Sequence, residues 1–273
     1  MDLVFFDLDG TLLNKSSVIS PFTLDTLWML KDKGIAHTLA TGRTMSSAQR
    51  IVSVYDFDLP HIYSNGVTVW DPKSQALTLK NLLAKNEIDS IVDHSISRGI
   101  VPFINTIDSN NEHIIFHSPL QHQVEKDLVD NYYSKAKLTL RPIEAFQSHY
   151  QVTNISMIGD TEKIQPLCHY FNSIDSLVAY SGTAVEGDGY SWMDVHHKLA
   201  NKGSAVVRLK EQLGASNIIC FGDSSNDETM FALADECYAP DNAKIAIKKL
   251  ASAVIGHHHE DGVAHFLRER FSL

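Results

Sequence analysis

The stretch LVFFDLDGTLL, Leu3 to Leu13, constrains the fold more than any other part of the chain. Its apolar half reads as a buried strand, and that strand ends in two carboxylates, Asp7 and Asp9. Side chains alternate faces along an extended chain, so these two acids point the same way with Leu8 opposite. Anions that close repel unless something cationic sits between them. A core strand that ends in paired acids therefore marks a place where charge must be gathered from elsewhere in the chain.

The neighbouring segments give that strand its context. In SPFTLDTLWMLKDKG, Ser20 is placed as a helix N-cap, Pro21 at the first helical position, Leu24, Leu27, Trp28 and Met29 on the apolar face, and Gly34 at the stop. IAHTLATGR then reads as a strand ending at Thr41 and Gly42, with a second helix from about Ser46 to Val54 and a short extended HIYSNG. Alternating strand and helix predicts right-handed crossovers and a mostly parallel sheet. From 82 to 189 the texture changes to polar helical segments between short β-prone pieces such as VPFINT, EHIIFH and NISMIG. The parallel pattern resumes with GSAVVRLKEQLG, NIICFGD and DETMFALAD. The expectation is an α/β protein: a doubly wound, Rossmann-like parallel-sheet core, 1–81 and 190–273, interrupted by an α+β domain at 82–189.

Composition narrows the function. The 273 residues, 44% of them hydrophobic, supply core enough for two domains. A net charge of −10 disfavours a nonspecific grip on nucleic acid or an anionic membrane surface, so a small ligand is the expected partner. No apolar run approaches the ~20 residues that cross a bilayer, and the start of the chain lacks the pattern of a secretion signal, so a cytoplasmic protein is expected, as a monomer or small homo-oligomer. Cys168, Cys220 and Cys237 are widely spaced and odd in number, which argues for buried apolar residues rather than disulfides or a thiolate metal site.

Ligands of open parallel sheets bind at the carboxyl ends of the strands. Three such ends carry polar residues: Asp7 and Asp9, then Thr41, then Asp223 with Asn226 and Asp227. Several carboxylates in one crevice need a cation, and an oxygen-only donor set favours a hard ion such as Mg²⁺, which keeps positions open for water and a phosphate oxygen. A hydroxyl and backbone N–H groups at TGR, and Lys202 in NKGSAV, are placed to hold the other phosphate oxygens.

FFDLDGTLL, LATGR, NKGSAV and FGDSSNDETM resemble, in order and spacing, the four motifs of the haloacid dehalogenase superfamily of phosphatases. The insert between the second and third motifs, with SNG at 64–66, Asn242–Ala243 and EDGV at 260–263, resembles its Cof-type branch, in which an α/β cap occupies that place. The resemblance implies that Asp7 is the nucleophile and forms an aspartyl-phosphate, and that Asp9 is the general acid and base. It also implies that Mg²⁺ is held by the Asp7 carboxylate, the Asp9 main-chain carbonyl and Asp223, with Asp227 behind them. Thr41, the Leu8 and Gly42 amides, Lys202 and Asn226 would grip the phosphoryl oxygens. The expected activity is hydrolysis of a small phosphorylated metabolite, a sugar phosphate first, with flavin mononucleotide and pyridoxal phosphate as other candidates. Two rivals use the same residues: a sugar phosphomutase, and a silent protein that only binds a phosphometabolite.

Simpler roles compete at single positions. Thr41 could cap the next helix, and Asp223 and Asp227 could be turn and cap residues. Phe22, Trp28, Phe221 and Phe231 read as core, and Trp192 with Asp194 as either packing or substrate contact. GHHHEDG, with His257, His258 and His259, invites a transition-metal reading, but adjacent residues on a short loop rarely all face one ion, so a solvated loop is expected.

Overall fold

The computed structural model describes residues 1–273. In chain order its elements are β1 (Asp2–Phe6), α1 (Pro21–Asp32), β2 (Ala36–Leu39), α2 (Met45–Val52), β3 (His61–Tyr63), β4 (Thr68–Asp71), β5 (Ala76–Leu79), α3 (Lys85–Ile96), β6 (Phe103–Ile107), β7 (His113–His117), α4 (Gln123–Leu128), β8 (Thr139–Pro142), β9 (Gln151–Asp160), α5 (Thr161–Asn172), β10 (Leu177–Thr183), β11 (Tyr190–His197), α6 (Lys202–Leu213), β12 (Asn217–Phe221), α7 (Glu228–Phe231), β13 (Glu236–Pro240), α8 (Ile245–Leu250), β14 (Ala253–Ile255) and α9 (Gly262–Phe271). They form two compact units, Met1–Thr78 with Asn201–Leu273, and Leu79–Ala200.

The first unit is built on a five-stranded sheet in the order β14-β13-β12-β1-β2, every neighbouring pair parallel. A single parallel bridge from Ala40 to Ile62 carries the order on to β3, which pairs antiparallel with β4 in a three-stranded sheet of order β3-β4-β5. Alternation along β1 explains the two layers. Val4 and Phe6 pack with Leu27, Leu30 and Leu267 on one face, while Leu3 and Phe5 pack with Val206, Leu209 and Ile247 on the other. Both faces of the central strands are thus covered, which is why their sequences are continuously apolar rather than alternating. Ser20 accepts the Thr23 N–H at 3.0 Å and Gly34 takes a positive φ after α1, as the capping pattern demands. Chain order reverses at β1: β2 lies on one side and β12, from the far end of the sequence, on the other. The ends of β1 and β12 therefore flank the point at which an open parallel sheet forms its crevice.

The second unit carries a six-stranded sheet, β10-β11-β9-β6-β7-β8, antiparallel except for β7 with β8. One face holds its own core, with Ile104, Phe116, Ile155, Met157 and Val195 packed against Ile91 of α3 and Ile164, Leu167 and Phe171 of α5. The boundary expected at 190 cuts this sheet: β11 pairs with β9 and β10, so residues 190–200 belong to the insert. The run YSWMDVHH reads as core by its place just before the NKG segment, whereas its alternation of buried and open positions is that of a one-faced antiparallel strand.

Trp28 also departs from expectation. It lies 41% exposed and packs edge-on to Tyr55, while Phe22 is half-buried beneath the Arg268 guanidinium. Phe221 and Phe231 are buried, as are all three cysteines. DETMFALAD forms only a single helical turn, Glu228–Phe231, after a tight turn at Ser225–Asp227.

Candidate active site

β1 delivers Asp7 to the end of the sheet, where its N–H donates to the Phe221 carbonyl of β12 at 2.9 Å. That bond brings the first and last thirds of the chain together. Gly10 comes next with φ +75, and a Cβ there would fall 2.5 Å from Asp223 Oδ2, so this glycine lets the loop close over the second strand's acid. Carboxylate oxygens of Asp7, Asp223 and Asp227 lie within 4.8 Å of one another.

Lys202, the first residue of α6, is fully buried among them. Its Nζ donates to Asp7 Oδ1 at 2.5 Å and to Asp227 Oδ1 at 2.6 Å. The other oxygen of Asp227 accepts the N–H groups of Asp223 and Ser224, each at 2.9 Å. Asp227 is thus both a turn-capping residue and the counter-charge that fixes the lysine. The helix is brought this close by Gly203, where a Cβ would lie 2.3 Å from the Thr229 carbonyl oxygen, and by Asn201, which caps it through Ser204.

One lysine does not balance three acids. Two carboxylates at such a separation repel by roughly 3 kcal/mol at an effective dielectric of about 20. Burial, opposed by Lys202 and reinforced by Asp227, Asp223 and Asp9, holds Asp7 well above the usual carboxylate range. Burial and Asp227 likewise push Asp223 up to about 7. For Lys202, burial would lower the ammonium, but Asp227 and Asp7 outweigh it and keep it charged. The donors are all oxygens and the surplus charge is negative, so the residues fit a hard divalent cation.

Around the acids stand the remaining expected residues. Thr41 is buried at the end of the β2 segment and its Oγ1 accepts the Arg43 N–H at 3.1 Å. It does not cap α2; Thr44 does, accepting from Ser47. Gly42 faces Asn65 and Asn226, where a Cβ would lie 3.1 Å and 3.3 Å from their amide groups, and Asn226 Nδ2 donates to Asn65 Oδ1 at 3.0 Å. Leu8 is buried between the two acids in sequence. Asp9 stands apart from the cluster: its side chain is half exposed and both oxygens accept from Arg43, Nε to Oδ2 and Nη2 to Oδ1, at 2.6 Å each.

Spacing gives no separate role to Arg43, Asn65 and Asn242, although TGR, SNG and Asn242–Ala243 contain them. Asn65 reaches the site because residues 64–66 all take positive φ and turn the chain back under Gly42. Asn242 Nδ2 donates to the Gly10 carbonyl at 2.7 Å, tying the acid loop to the end of β13. His257, His258 and His259, expected as a solvated loop, bring their ring nitrogens within 4.8 Å of one another.

A doubly wound sheet with an acid–lysine cluster at its switch point and an inserted α+β domain defines a class of hydrolase. A family profile described as haloacid dehalogenase-like hydrolase matches residues 4–267, and the chain belongs to that family. Among curated relatives, 5-amino-6-(5-phospho-D-ribitylamino)uracil phosphatase YwtE of Bacillus subtilis is 26% identical, the match covering 100% of this chain and 99% of that protein. HMP-PP phosphatase of Serratia proteamaculans is 26% identical over 97% of this chain and 94% of its own. A solved haloacid dehalogenase-like hydrolase from B. subtilis superposes with a TM-score of 0.79 at 23% identity, covering 98% of this chain and 99% of that one, and shows the same fold. No helix is long and apolar enough to cross a membrane.

Proposed function

We propose that the protein is a Mg²⁺-dependent phosphatase that hydrolyses a small phosphorylated metabolite through an aspartyl-phosphate on Asp7. The observation that carries this reading is the Asp7 carboxylate, buried at the switch point with one oxygen fixed by Lys202 at 2.5 Å and two further acids beside it. Lys202 bonds Oδ1, which leaves Oδ2 to attack phosphorus. As the bond from phosphorus to the leaving oxygen breaks, Asp9 supplies the proton that the departing alcohol needs. Water then attacks the phosphoryl group, Asp9 takes its proton, and the bond to Asp7 breaks to free inorganic phosphate and restore the carboxylate.

Thr41, the amides of Leu8 and Gly42, Lys202 and Asn226 grip the phosphoryl oxygens as charge is redistributed. The Asp7 carboxylate, the Asp9 main-chain carbonyl and Asp223 would hold Mg²⁺, which supplies charge neutralisation when bound, and Asp227 orients the set from behind. A sugar phosphate is the first substrate class to try. Phosphorylated heterocycles are the second, because a curated relative carries such a compound, a phosphoribitylamino uracil, in its name.

The test is release of phosphate from p-nitrophenyl phosphate and from a panel of phosphorylated metabolites, with and without Mg²⁺. Mg²⁺-dependent release that Asp7→Asn abolishes is expected. No release from any compound would favour a silent binding protein, and phosphate retained on a sugar with a bisphosphate requirement would favour a mutase.

A further inference from the structure

We propose that His257, His258 and His259 form a binding site for a first-row transition ion such as Zn²⁺, separate in chemistry from the oxygen-lined acid cluster. The three residues span the end of the loop before α9, the last two within a tight turn at His258–Glu260. Consecutive residues normally point apart. Here the ring centroids lie 5.0, 4.7 and 4.0 Å from one another, and one ring nitrogen of each falls within 4.8 Å of the others.

His258 has the geometry of a ligand held from behind. Its Nδ1–H donates to the Leu13 carbonyl at 2.7 Å, which leaves Nε2 with its lone pair free for an ion. A backbone carbonyl on the far nitrogen is the usual device that orients a metal-binding imidazole. His259 is exposed, and its main-chain N–H donates to His257 Nδ1 at 3.1 Å, a bond that His257 gives up when it ligates through that nitrogen.

An ion about 2.1 Å from each nitrogen requires donors about 3.4 Å apart, so nitrogens that lie within 4.8 Å of one another must close by at most about 1.4 Å. His257 and His259 lie on a turn open enough for that adjustment. Three imidazoles with a fourth position open to water suit Zn²⁺, Ni²⁺ or Cu²⁺ and do not suit Mg²⁺. The site also has a route to the acid loop. The His258 N–H donates to Asn242 Oδ1 at 3.1 Å, and Asn242 Nδ2 holds the Gly10 carbonyl. An ion on His258 would therefore stiffen both ends of the Gly10–Leu13 segment.

The experiment titrates the full chain carrying Asp223→Asn, which removes an oxygen donor of the acid cluster, with Zn²⁺ by calorimetry and with Co²⁺ by visible absorption. One ion per chain is expected, with the intense Co²⁺ band of a nitrogen-rich site of low coordination number. Adding His258→Gln, or separately His259→Gln, should weaken binding by about tenfold or more. In the otherwise native chain His259→Gln should leave Mg²⁺-dependent turnover unchanged, which shows that the variant folds. No stoichiometric Co²⁺ or Zn²⁺ binding, or binding that survives both substitutions, overturns the proposal. Neither result bears on the phosphatase reading, since these histidines take no part in it.

Discussion

Asp9 and Arg43 form an ion pair beside the acid cluster. A bidentate guanidinium occupies both oxygens that a proton donor would need. Arg43 therefore orients the proposed general acid, one oxygen of which is released for the proton transfer, and this makes Arg43 a positioning residue. Arg43→Ala is expected to lower kcat by about tenfold to a hundredfold, with Arg43→Lys recovering only part, because a lysine restores charge without the fork. Steady-state kinetics that show an unchanged kcat and a raised KM alone would contradict this. A second expectation concerns the acids. Asp223, pushed up to about 7 in the folded state, binds a proton that the unfolded chain releases near 4. Between those values the folded chain holds more protons, so its stability falls as pH rises through the window. Urea denaturation of metal-free protein should show this loss relative to Asp223→Asn, and Mg²⁺ should abolish the difference while binding more weakly as pH falls below 7. A pH-independent difference would contradict it.

Elements differ in how far the sequence alone declares them. The strands β1, β2 and β12 announce themselves by uninterrupted apolar runs, and their polar ends follow from sheet topology, so Asp7, Thr41 and Asp223 can be placed together from the sequence. The helix α1 is readable from Ser20, Pro21 and Gly34, yet Trp28 lies at the open edge of its apolar face, because periodicity gives the direction of such a stripe and not its width. Arg43 is hidden for a different reason: its partner is 34 positions away, and the direction of a long side chain is set by packing rather than spacing. The histidine run is plain in the sequence but the gathering of its rings is not, since the turn that brings them together depends on contacts with Leu13 and Asn242. Gly203 shows how an element serves the site. Gly203→Ala would drive a methyl into the Thr229 carbonyl and displace the start of α6 with Lys202. A loss of about 1–3 kcal/mol in urea unfolding is expected, with a loss of activity beyond what stability explains. A variant of native stability and activity would show that the close approach is dispensable.

The molecule as a whole is a sheet whose two sequence-distant halves meet at β1 and β12, with an inserted unit that has its own core. The insert's place is visible as a change of texture, whereas its end is not, because β11 lies directly before the NKG segment and carries no breaker of its own. The central claim concerns the first unit alone: its convergence leaves Asp7 as the acceptor of a phosphoryl group. The most direct measurement is a rapid acid quench of the protein turning over a hydrolysed phosphomonoester with Mg²⁺, followed by proteolysis and mass analysis. The account predicts an acid-stable, hydroxylamine-labile phosphoryl group on the peptide that carries Asp7, absent from Asp7→Asn. Rapid phosphate release with no such adduct at any quench time, or an adduct on another residue, would contradict it.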